Sequence, residues 1–64
     1  MDQTPEGEVL FELTRIGAQV RVAAIHPPTG IEVVVVAPAS ATRAQMQALA
    51  LAKLRRKLEA GRRD

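Results

Sequence analysis

His26-Pro27-Pro28-Thr29-Gly30, set between Gln19–Ile25 and Ile31–Val36, decides the fold of this chain. Pro28 presets φ for the first central position of a type I turn, with Thr29 second. Gly30 can then take the left-handed conformation that makes a hairpin bulge. Prolines donate no backbone hydrogen bond, so no strand runs through the pair. The flanks must therefore be two strands joined by a reversal. Within Gln19–Ile25, Val20, Val22 and Ala24 point one way and Arg21, Ala23 and Ile25 the other. Ile31–Val36 is rich in β-branched residues and apolar on both faces, with Ile31, Val33 and Val35 opposite Val34 and Val36. Pro38 is expected to end it.

Upstream, Val9, Phe11 and Leu13 alternate with Leu10, Glu12 and Thr14, which predicts another strand. Gly17-Ala18 suits a tight turn into the second. Downstream the period changes. Thr42 with Gln45 three residues on is a capping-box pair, and Ser40 is the alternative cap. Ala44 to Leu54 are nearly all good helix formers. Gly61 suits a helix C-cap, so the helix should stop near Ala60-Gly61. At about 100° per residue, Ala50, Leu51, Leu54 and Leu58 form one stripe with Met46 at its edge. Leu49 falls almost opposite. The expected fold class is α+β: a three-stranded antiparallel β-meander followed by one C-terminal α-helix packed on one sheet face (βββα). Residues 1–7 read as a disordered tail, 8–60 as the single domain and 61–64 as a frayed basic tail.

A domain of 64 residues buries only about 60% of the surface its unfolded chain exposes and is marginally stable. With no cysteine and one histidine, neither a disulfide nor a thiolate or polyhistidine metal site can staple it. A partner chain or an unusually well packed core remains. No apolar run is long enough to cross a bilayer, and the acidic N-terminal stretch does not resemble a signal peptide. These features predict a soluble cytoplasmic protein without a membrane association.

One helix covers one face of such a sheet. The face holding Phe11, Leu13, Val20, Val22, Val33 and Val35 is the natural choice. Leu10, Ile16, Ala23, Ile25, Val34 and Val36 then lie on the other, diluted by Glu12, Thr14, Arg21 and Glu32. Burying these aliphatics at ~25 cal/mol per Å2 is worth several kcal/mol, which predicts a homodimer through that face or through an edge strand. Against this, more than half of an ordinary protein surface is apolar. The candidate protein interface is Leu10, Ile25, Val34, Val36 and Leu49, for a second copy or another protein partner.

Charge is uneven. Residues 1–40 carry a net −3 and residues 41–64 a net +5. Lys53, Arg56, Lys57, Arg62 and Arg63 form the candidate anion or nucleic-acid contact, since clustered cations are the footprint of phosphate binding. The simpler explanation is that cations complement a helix C-terminus and keep a small apolar domain in solution. The single aromatic, Phe11, falls in the predicted core, which leaves no stacking platform for bases. The βββα order matches the latter part of a double-stranded-RNA-binding domain in architecture alone. Thr42-Arg43-Ala44-Gln45 lacks the lysine pair expected at that helix start.

No catalytic constellation emerges. His26 and the lone Ser40 share no spacing that joins them, and the carboxylates are scattered, so no catalytic, cofactor or metal residue is assigned and no small-molecule substrate is evident. His26 reads as a turn-capping or solvent-facing residue.

Gly7-Glu8-Val9, Ile16-Gly17, Val20–Ile25, Pro27-Pro28-Thr29-Gly30-Ile31-Glu32-Val33, Pro38-Ala39 and Leu49-Ala50 through Lys53-Leu54 resemble a small bacterial family of uncharacterised proteins, a domain of unknown function. The likeness spans roughly residues 7–58, and its most recognisable element is the Pro-x-Thr-Gly-x-Glu-Val turn. The family pattern has an aspartate before that proline, where this chain has His26. The resemblance implies the α+β fold and a bacterial cytoplasmic home, and it implies no activity or cofactor. The expected function is that of a small non-enzymatic interaction or self-association module, with weak nucleic-acid binding by the helix as the alternative.

Overall fold

The computed structural model describes the backbone of residues 8–62 and the side chains of residues 8–61. The tail expected at residues 1–7 lies outside the described residues, as do Arg63 and Asp64. Three strands, β1 (Leu10–Ile16), β2 (Gln19–His26) and β3 (Ile31–Pro38), precede one helix, α1 (Arg43–Arg62). The strands form an antiparallel meander in the order β1-β2-β3. The α+β class and the βββα order expected from periodicity are what the chain adopts.

Gly17 sits at φ +62° and Ala18 does not share the positive φ. That combination matches a two-residue turn with glycine first, whose twist suits a right-twisted hairpin. It sets the register Ile16 with Gln19 and Leu13 with Val22. At the second reversal Gly30 takes φ +73°, the left-handed conformation anticipated there. The bonded turn is centred one residue earlier than expected. The His26 carbonyl accepts from Thr29 N at 3.2 Å and Gly30 N at 2.8 Å, which places both prolines inside the loop.

Pro38 does not stop β3 short; it is the last residue of the strand. The Lys53 ammonium donates to the Val34 carbonyl at 2.8 Å, and Ala39 N donates across to the Ala18 carbonyl. Backbone groups alternate sides along a strand, so Glu32, Val34, Val36 and Pro38 turn theirs to the open edge. A proline costs no ladder bond in that position.

The helix begins as its capping box dictates. Gln45 N donates to Thr42 Oγ1 at 3.0 Å, and Thr42 N donates to Gln45 Oε1 at 2.8 Å. Ser40 is not the cap; it lies in the turn closed by Ala41 N on the Pro38 carbonyl. The far end runs past the expected stop. Gly61 stays helical, with no left-handed φ, and the helix continues to Arg62.

Four residues, Ala39–Thr42, join β3 to α1, so the helix must lie near β3. A helix is about 10 Å across. Three strands about 4.8 Å apart are wider than that once side chains are added. Accordingly α1 packs on β2 and β3, while β1 lies outside its main contact. Val20, Val22, Ala24, Val33 and Ala37 are buried against Met46, Ala50, Leu54 and Leu58. Met46 is a full member of this stripe rather than its edge. Phe11 and Leu13, expected in the core, are only half-buried.

Candidate functional site

The face turned away from α1 reads, in cross-strand rows, Leu10-Ile25-Glu32, Glu12-Ala23-Val34, Thr14-Arg21-Val36 and Ile16-Gln19-Pro38. Its apolar members run diagonally from Leu10 through Ile25, Ala23 and Val34 to Val36. Leu10 is 48% exposed, Val36 60% and Ile16 62%. Ile25 and Val34 are half-buried and Ala23 is fully buried, because neighbours on the pleated face shade them. The structure thus brings Leu10, Ile25, Val34 and Val36 onto one surface, as the alternation predicts. It also places Ile16 at one end, more exposed than any of them. Alternation along β1 put Ile16 on this face, and its place beside the Gly17-Ala18 turn leaves it few neighbours.

Leu49 is 53% exposed and does not join that surface. It lines a shallow groove of about 520 Å3 with Pro38, Ala41, Gln45, Ala48 and Ala52, on the outer side of the first half of the helix. Small side chains at 41, 48 and 52 leave this groove low-walled. The sequence marked only Leu49 as out of place; Pro38 and the alanines matter through a juxtaposition that helical periodicity alone does not give.

Three of the candidate cations, Lys53, Arg56 and Lys57, lie on α1 among the described side chains. Lys53 folds onto the β3 edge through its bond to Val34. Arg56 and Lys57 are exposed on the second half of the helix. The Arg62 side chain and Arg63 lie outside the described residues. Around the helix axis Arg56 and Lys57 stand about 100° apart with Lys53 between them one turn back, so these three cations share one side of the helix.

His26 takes the capping alternative, and it is buried, with 5% of its surface exposed. Its Nδ1 lies 2.8 Å from Thr29 Oγ1, and Thr29 Oγ1 also accepts from Ile31 N at 3.2 Å and lies 3.3 Å from the His26 carbonyl. Imidazole and hydroxyl together tie down a loop whose prolines cannot bond it. No group of three or more metal-ligating side chains gathers among the described residues. Among them, no helix is long and apolar enough to cross a membrane.

These features define a small α+β domain whose helix covers β2 and β3 on one face of a three-stranded sheet, and no helix among the described residues covers the other face. The family model described as "Domain of unknown function (DUF6898)" matches residues 6–61, and the chain belongs to that family. No curated protein and no solved structure matches it.

Proposed function

We propose that the chain is a non-enzymatic bacterial contact module, working in the cytoplasm, and that its first contact is with itself. One observation carries this reading: three large aliphatics on the bare sheet side, Leu10, Ile16 and Val36, each expose about half or more of their surface on a single face. Scattered exposed aliphatics are ordinary, but a set on one side of a domain with so small a core favours association, because each of these side chains still has roughly half of the ~1.5–3 kcal/mol of full burial to gain. The basic half of the helix is then a solvated face. Lys53 spends one of its three donors on a backbone carbonyl.

Sedimentation velocity on the full chain from about 1 to 200 μM tests the reading. A dimer that persists as salt rises supports it, since apolar contact is not screened. A monomer throughout overturns it. Binding to duplex RNA or DNA that falls steeply with salt would instead give the helix the leading role.

A further inference from the structure

The two edges of the sheet are not alike, and the difference points to where a second copy sits. At β3, Lys53 occupies the Val34 carbonyl and Pro38 offers no N–H, both common means of blocking strand addition. β1 has neither a lysine nor a proline in its seven residues. Since even-numbered residues of β2 bond to β3, the odd-numbered ones bond to Leu10, Glu12, Thr14 and Ile16 of β1. The backbone N–H and C=O of Phe11, Leu13 and Arg15 therefore face outward. The same strand is the one α1 leaves half covered, through Phe11 and Leu13.

We infer that two copies join antiparallel along β1, about a two-fold axis at Leu13, into a six-stranded sheet. This deepens the self-association reading and rests on it. Outward backbone groups must meet outward backbone groups, which restricts the register to Leu13 with Leu13 and steps of two from it. Centred on Leu13, all of Leu10–Ile16 pairs. On the bare face Leu10 meets Ile16 of the second copy, so two of the most exposed aliphatics cover each other at both ends of the joint. Glu12 faces Thr14. On the helix side Arg15, whose Nε donates to the Gly17 carbonyl of its own chain at 2.9 Å, pairs across the joint with Phe11, and the two leucines close the strip between the helices. Stepping one way sets Glu12 against Glu12, a like-charge pair that destabilises a ladder. Stepping the other way sets Glu12 against Ile16 and leaves Leu10 unpaired. Charge and apolar complementarity thus select a single register with a single occupant, a second copy of this chain.

Arg15→Pro removes an outward N–H from an exposed position while leaving the β1–β2 ladder its bonds. Val34→Lys places a charge on the bare face, away from the β1 edge. We expect Arg15→Pro to weaken the dimer at least tenfold in sedimentation with a native circular dichroism spectrum, and Val34→Lys to leave the dimer in place. A dimer that survives Arg15→Pro but is lost in Val34→Lys overturns edge pairing and keeps self-association, now by stacking of sheet faces. A wild-type monomer overturns both. Amide exchange on the unmodified chain gives an independent readout if the proline variant fails to fold. Protection of the Leu13 and Arg15 amides that grows with concentration supports the joint, and fast exchange of both in a demonstrated dimer refutes it.

Discussion

Leu54→Ala is the sharpest test of how this small core works. Leu54 has no exposed surface and is, with Val22, the largest of the completely buried side chains. It belongs to the cluster with Val22, Ala24, Val33 and Ala50, under the middle of the helix. Truncation removes the transfer free energy of three carbons and leaves a hole that a two-layer domain closes only in part. The expected loss is about 3 kcal/mol. Domains of this size rarely hold more than about 3–5 kcal/mol in total. The variant should therefore sit near its unfolding midpoint at 25 °C, with a melting temperature lowered by roughly 15–20 °C. The chain has no tryptophan or tyrosine, so far-UV circular dichroism during urea and thermal unfolding is the practical signal. Wild type and variant must be compared at one concentration, because association stabilises the folded state by mass action. Leu49→Ala is the matched control, the same truncation at a site 53% exposed, and should cost about 0.5 kcal/mol or less. A Leu54→Ala loss below about 1 kcal/mol, or equal losses at the two sites, would refute the claim that the 46-50-54-58 stripe holds the helix to the sheet.

Other consequences follow from single contacts. Thr42→Ala removes the Oγ1 that accepts from Gln45 N, leaves the backbone bond from Thr42 N to Gln45 Oε1, and should cost about 1 kcal/mol in urea unfolding, with Thr42→Ser near neutral. Gly30→Ala should cost about 1–2 kcal/mol from backbone strain alone, since φ is +73° and an added Cβ meets nothing within 4 Å; a neutral result would mean the loop relaxes out of the left-handed region. Thr29→Val removes the hydroxyl shared by the His26 ring, the His26 carbonyl and Ile31 N, and should destabilise by about 1–2 kcal/mol with faster exchange at Ile31; unchanged exchange there would remove the hydroxyl from the account of the turn.

The strands, both reversals and the capping box were readable because each is a local pattern. Alternation marks a strand, a glycine marks positive φ, and Thr42 and Gln45 lie one helical turn apart. The boundaries shifted where an edge relaxes a rule. Pro38 remains in β3 since its missing N–H faces outward, and Gly61 stays in the helix without capping it. Alternation and helical periodicity also named both open apolar regions, through Leu10, Ile25, Val34 and Val36 on the sheet and Leu49 on the helix. They did not give lateral placement. Periodicity says which stripe of a helix turns inward and nothing about which strands lie under it, so Phe11 and Leu13 were assigned to a core that covers them only in part. Nor does it join Lys53 to a carbonyl 19 residues away, which turns one member of a basic cluster into an edge block. His26 before two prolines read as a turn residue, and its burial arises from the helix-side position it shares with Val22 and Ala24.

Placement, once known, constrains association more than composition does. The four-residue link ties α1 to β3, and a helix about 10 Å wide then reaches β2 but not the whole of β1. The strand farthest from the link is at once the least covered on the helix side and, among the described residues, the edge strand without a lysine or a proline. Those two deficits have one cause, the short connection in a meander of three strands, and they coincide at Phe11, Leu13 and Arg15. Stacking two bare faces would bury Val34 and Val36 yet leave that strip and its backbone groups in water. Lengthening the sheet across β1 answers the strip and the edge together. In that arrangement Ile25, Val34 and Val36 would lie on one face twice as wide.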